Sequence, residues 1–213
     1  HDLIGHASLA EAIYEKSHGR FRCILPQDFT ELKGRSGRAI RDHCLQALVA
    51  ADLALFCFDG ADVDSGTVVE FMYSKFADIP AVLLRTDNRH ASNQRHERWN
   101  QMANHFPRTA TVLARTLADY RDTLERRRRR LDPALHLAGQ HSSAGVQLVC
   151  EAVAAQCVRA LERVLALPPT MPKHLREEAY QWLARFPGIR GKQKALRKTF
   201  EAQLERKVER DLL

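Results

Sequence analysis

Apolar residues recur at helical spacing across residues 2–17, where Leu3, Ala7, Ala10, Ile13 and Tyr14 share one stripe. The short stretch FRCIL at 21–25 predicts a strand, ended by Pro26. The helical period returns across 36–50, through Ile40, Cys44, Ala47 and Leu48. LALFCF at 53–58 is continuously apolar, as expected of a strand buried on both faces. A helix over 66–77, a strand PAVLLR at 80–85, a strand TATVLA at 109–114 and a helix over 116–130 follow.

Strands alternating with helices predict a parallel sheet covered by helices on both sides. The order begins with a helix, and helix 2–17 has no strand before it to pack beside. A first strand is therefore expected to be missing from this chain, preceding residue 1 or supplied in some other way. After Leu131 the pattern becomes wholly helical. One long helix is expected over 142–166, with Val146, Val149, Val153, Cys157 and Leu161 on its stripe. LPPTMP at 167–172 ends it, a helix over 173–186 follows, and a charged helix runs from PGIRG to the end. The chain thus divides into an α/β domain, 1–130, and a helical extension, 131–213. The extension is expected to cover a sheet edge or to make an oligomer contact through the stripe of helix 142–166. No internal repeat is evident.

The chain has 213 residues and 45% hydrophobic content, enough for a sizeable core. No apolar run approaches the roughly 20 residues of a membrane span, and no signal segment is visible. The five cysteines form no Cys-x-x-Cys pair, and the ten histidines make no His-x-x-x-His pair. These features favour reduced, mostly buried thiols, no zinc site and a cytoplasmic setting. Net charge is +7, concentrated in the arginines of 126–130 and in residues 190–210. The arginine run has no interleaved aromatic and no recognition motif, so a solvated helix end is expected rather than specific nucleic-acid binding.

The chemistry concentrates in DGADVDSGTVVEFM, residues 59–72. Ligands of open parallel sheets sit beyond the carboxyl ends of the strands. Strand 53–58 delivers Asp59 to such an end, and Ser65-Gly66-Thr67 open the next helix. Glu70 interrupts an apolar stretch close to that helix's start, where the helix dipole is expected to favour its ionised form. Asp64 and Glu70 can face one pocket. A carboxylate held there can attack a sugar carbon while a second acid orients or protonates a leaving group. Capping and ordinary surface roles are the plainer alternative for these residue types.

Asp64-Ser65-Gly66-Thr67-x-x-Glu70 resembles the D-x-G-T-x-x-E signature of the nucleoside 2-deoxyribosyltransferases. ADLALFCFDG before it and IPAVLLRTD after it fit the same strand–loop–helix–strand context. RWNQM at 98–102 resembles that family's Asn-x-Met segment, and DLIGHASLAEAI resembles the helix after its first strand. The likeness covers residues 2 to 120. It implies a flavodoxin-like fold and transfer of 2-deoxyribose between nucleobases, with no metal or organic cofactor.

By this resemblance Glu70 is the nucleophile, forming a covalent 2-deoxyribosyl intermediate. Asp64 holds the sugar hydroxyls or assists Glu70, and Ser65 and Gly66 make room for the sugar. Asn100 reaches the site of a neighbouring subunit, which implies a homo-oligomer. Asp59 and helix 36–50 line the substrate side. Cys44 stands where the family often carries Asn or Asp for base contact, and Asp42 beside it is a substitute. The family's glycine-rich loop after the first strand is absent. Attack by water in place of a second base makes the same site a hydrolase of nucleosides or nucleoside 5′-monophosphates. A non-enzymatic nucleotide-binding module is the third reading. Trp99 is a secondary candidate for base stacking, and Lys75 and Arg85 for a 5′-phosphate, with core or surface roles as the plainer reading.

Overall fold

The computed structural model describes residues 3–29, 36–59, 64–86, 102–114, 116–128, 143–185 and 193–213. Among these, β1 (Ala54–Cys57), β2 (Ala81–Arg85) and β3 (Thr109–Leu113) form a parallel sheet in the order β1-β2-β3. Phe56 lies opposite Leu83, and Leu83 opposite Thr111. The helices are α1 (Leu3–Lys16), α2 (Gly37–Ala50), α3 (Ser65–Phe76), α4 (Thr116–Arg128), α5 (Ser143–Leu165), α6 (Arg176–Leu183) and α7 (Gln193–Glu209). The result is an α/β fold with a mostly helical C-terminal region. No described helix is long and apolar enough to cross a membrane.

Successive strand residues point to opposite faces, and each face builds its own core. One face is aromatic. Phe56 and Phe58 of the β1 segment and Leu83 of β2 meet Phe71 and Tyr73 of α3, Tyr180 of α6 and Phe200 of α7. The Phe71 ring meets Phe56, Phe58 and Phe106 edge-on, with centroids 5.6, 6.1 and 5.5 Å away, the geometry favoured by the ring quadrupole. The other face is aliphatic and small. Val82, Leu84, Ala110 and Val112 pack on Ile13 of α1 and on Val153, Ala154, Cys157 and Leu161 of α5. Both cores draw on residues before and after residue 130.

Polar contacts fix the C-terminal helices to the sheet's N-terminal end. Asp78, just past α3, accepts hydrogen bonds from Thr170 N (2.7 Å), Thr170 Oγ1 (2.8 Å) and Met171 N (2.9 Å). Arg108 donates to Asp78 O (2.7 Å) and Leu212 O (3.1 Å), and its guanidinium lies 3.5 Å from the Asp78 carboxylate. Arg206 and Lys207 donate to Ala50 O and Ala51 O at the C-terminus of α2, each at 2.6 Å. Cations there satisfy carbonyls that α2 leaves unpaired and complement its dipole. Arg206 and Arg210 also hold Asp52 at 2.8 and 2.7 Å. Two tyrosines pin α3 and α6 reciprocally: Tyr73 Oη donates to Leu183 O (2.7 Å) and Tyr180 Oη to Ala77 O (3.1 Å).

Several expectations change. Residues 21–25 are not a strand. Their alternation is real, since Phe21 is buried while Ile24 is exposed. It is met by coil packed on the aliphatic core, and the Phe21 N–H donates to Ser17 Oγ rather than to a ladder. The buried side of α2 carries Asp42, Leu45 and Val49, not the Ile40 stripe, and Ile40 is exposed. β1 is buried only at alternate positions. The helix expected over 173–186 is a 3-10 turn, Lys173–Leu175, running into α6. The stripe of α5 expected to hold an oligomer together is buried within the chain, except Val146. Cys157 is buried, while Cys23, Cys44, Cys57 and Cys150 are half-buried; all five thiols are free.

Candidate functional site

Parallel pairing delivers the carboxyl ends of all three strands to one end of the sheet. Asp59, two residues past β1, takes hydrogen bonds from Thr86 N (2.5 Å) and Thr86 Oγ1 (2.6 Å), one residue past β2. Thr116, opening α4 beyond β3, donates from Oγ1 to Thr86 O at 2.7 Å. Asp59–Thr86–Thr116 therefore ties the three strand ends together. Asp59 is expected from the sequence to line a substrate; in the structure it braces the strand ends through Thr86. Thr86 and Thr116 were missed in the sequence, because a threonine after a strand carries no distinguishing pattern.

Asp64 is the N-cap of α3. Its carboxylate accepts from Thr67 Oγ1 (2.8 Å), Thr67 N (3.2 Å) and Gly66 N (3.4 Å). This is the local remedy for unpaired amides at a helix start. The Thr67 hydroxyl, then the backbone N–H groups, hold the Asp64 carboxyl below the usual carboxylate range. A Cβ at Gly66 would lie 3.4 Å from Asp64 Oδ2. Ser65 and Gly66 are exposed at the mouth, so the helix opens with small residues beside an ionised acid.

Glu70 is half-buried on the same helix. Burial, then the charge of Asp64, pushes its carboxyl up from the ordinary glutamate value. The sequence expectation was the reverse, with the dipole favouring ionisation. The dipole's influence fades within the first turn, and Glu70 is the sixth residue of α3, so desolvation prevails. The two acids thus differ in role: Asp64 is fixed and ionised, while Glu70 is partly dehydrated within its field.

Helix α2 packs against α3. Cys44 is half-buried, and its thiol is pushed up by burial and then by the charge of Glu70. Asp42 lies about 200° around the helix from Cys44 at 100° per residue. It is buried and held by Arg41 at 2.6 Å. Of the two, Cys44 is the residue in the field of Glu70. His43 meets the Phe29 ring edge-on, with centroids 4.4 Å apart.

Other candidates separate from this cluster. Lys75 lies at the far end of α3, donating to Pro107 O, Arg108 O and Thr109 Oγ1 at the start of β3. Arg85 is buried at the end of β2. Arg126 is exposed on α4. Asn100 and Trp99 fall outside the described residues. Among the described residues, no three His, Cys, Asp or Glu side chains come together to hold a metal ion.

A half-buried carboxyl in the field of an ionised one, at the carboxyl end of a parallel sheet, suits nucleophilic attack on an electrophilic carbon. Comparison with family models, curated proteins and solved structures gave no match to this chain.

Proposed function

We propose that this chain cleaves and re-forms the N-glycosidic bond of 2-deoxyribonucleosides, on a flavodoxin-like fold of the nucleoside 2-deoxyribosyltransferase type. One observation carries the reading: Glu70 stands half-buried in the field of Asp64, whose carboxylate the N-terminus of α3 fixes by three hydrogen bonds. A carboxylate stripped of part of its water shell is a better nucleophile toward a sugar carbon. In the proposed cycle an oxygen of ionised Glu70 attacks C1′. The bond from C1′ to the base nitrogen breaks, and the base leaves with the electron pair and is protonated. A nitrogen of a second base then attacks C1′, loses its proton, and displaces Glu70 as carboxylate. Asp64 orients the sugar hydroxyls. Cys44, in the electrostatic field of Glu70, faces the base side. The resemblance adds Asn100, contributed by a neighbouring subunit of a homo-oligomer.

Incubating the protein with a 2′-deoxynucleoside, with and without a second free base, tests the reading. The expected product is the exchanged deoxynucleoside. Free deoxyribose in both incubations marks a hydrolase, and no turnover marks a binding module. A 2-fluoro-substituted nucleoside should leave its sugar on the peptide containing Glu70, as read by mass spectrometry.

A further inference from the structure

β3 is an outer strand of the described sheet. Ala114 N donates to Arg85 O, and Ala81 N to Arg108 O. In a parallel ladder the residues that bond one neighbour alternate with those that point away. The peptide groups of Thr111 and Leu113 therefore face outward. An open groove of about 340 Å³ runs there, lined by Thr111, Leu113 and, from α5, Gln156, Arg159 and Arg163. Arg159 and Arg163 are exposed, and neither has an ion-pair partner among the described residues. At the start of the strand Lys75 bonds Pro107 O, Arg108 O and Thr109 Oγ1. Native sheets usually protect their edges; among the described residues nothing bonds the outward peptide groups of Thr111 and Leu113, and Arg159 and Arg163 line the same groove.

We infer that this groove docks an extended acidic segment of a partner protein, which adds to β3 as a further strand. The spacing supports the choice. Arg159 and Arg163 are four residues apart on a helix, about 6 Å along its axis. Same-face side chains of a strand repeat at about 6.6 Å. Carboxylates at alternate positions can therefore meet both guanidinium groups while the backbone pairs with Thr111 and Leu113. A second copy of this chain fits poorly. Two-fold pairing of β3 with β3 would bring two arginine pairs together, a like-charge arrangement.

A fluorescent peptide of alternating Val and Glu is the probe, titrated by anisotropy against the intact chain. Saturable binding is expected. An isomer with its Glu residues contiguous should bind about tenfold more weakly, as should the alternating peptide to the R159E/R163E protein. N-methylation of alternate peptide nitrogens should abolish binding to the unaltered protein, because it removes the donors that pair with the edge. Both arginines are exposed, so the thermal transition of R159E/R163E should match the parent. Equal binding of the two isomers, or indifference to N-methylation, would reduce the groove to a patch of charge and overturn the inference. So would absence of binding, or self-association of the chain that the peptide does not dissolve.

Discussion

Asp64 and Asp78 stand at the two ends of α3, one capping its start and the other just past its end. Every hydrogen bond described for the Asp64 carboxylate comes from Gly66 or Thr67, within one helical turn. The Asp78 carboxylate is held by Thr170 and Met171, 92 and 93 residues away, and faces Arg108. Asp78 is buried and Asp64 exposed. Local partners fix a carboxylate while leaving a side open to a ligand. Distant partners consume it and join pieces of the chain. One end of the sheet thus leaves its acid accessible and the other spends it on cohesion, with the same residue type in both.

The largest effect that would sharpen this contrast is on Glu70. Glu70→Gln should lower base exchange by at least about 1000-fold, measured by chromatography of the products. Burial, then the charge of Asp64, pushes its carboxyl up in the fold, so the ionised side chain adds nothing to native-state stability relative to the unfolded chain. The neutral amide should leave the urea midpoint unchanged or slightly raised. A marked loss of stability would place Glu70 among the cohesive residues instead.

Asp78→Asn should behave in the opposite way. It removes the charge facing Arg108 and weakens the bonds to Thr170 and Met171. The cost should be about 3 kcal/mol of unfolding free energy, while exchange per folded molecule stays near the parent value. Asn tolerates the positive φ of 53° at this position, so backbone strain does not enter. Equal losses of activity and stability would erase the distinction between the two ends.

A smaller effect concerns pH. Burial pushes the Lys207 ammonium down to about 7; Asp52 opposes this shift, while Arg206, Arg108 and Arg210 add to it. Lys75 is likewise pushed down to about 8, chiefly by burial. Above these values the unfolded lysines still hold protons that the folded ones have lost, so stability rises with pH. Unfolding free energy should increase by about 2–3 kcal/mol between about pH 6.5 and about pH 8.5. Lys207→Met should flatten most of that rise. A profile that falls across this window would contradict the placement of Lys207.

The sequence reveals much of one end and little of the other. Strands 53–58, 80–85 and 109–114 were legible from their apolar runs, and the structure forms β1, β2 and β3 within them. Asp64 before a Ser-Gly-Thr helix start was legible because capping is local. The Asp78–Arg108–Thr170 cluster was not, because its members are scattered along the chain and each looks like a surface residue alone. FRCIL misled because a short, largely apolar stretch ended by proline reports burial without showing whether the backbone pairs. The helix 36–50 stripe misled for a related reason. Asp42 turns inward because Arg41 holds its charge, and a purely apolar pattern does not anticipate a buried acid.

The aromatic face has a consequence for the newly made chain. Phe56, Phe58, Phe71 and Leu83 are complete within the first 83 residues, yet Tyr180, Phe200 and Leu204 share the same core. At about 5–20 residues per second, synthesis leaves that face without its cover for on the order of ten seconds. Its closing contacts join distant parts of the chain, with Arg206 bound to Asp52 at a separation of 154 residues, and such contacts form slowly. During this interval the nascent protein presents phenylalanine rings to solvent, a surface that chaperones bind and that neighbouring chains can aggregate on.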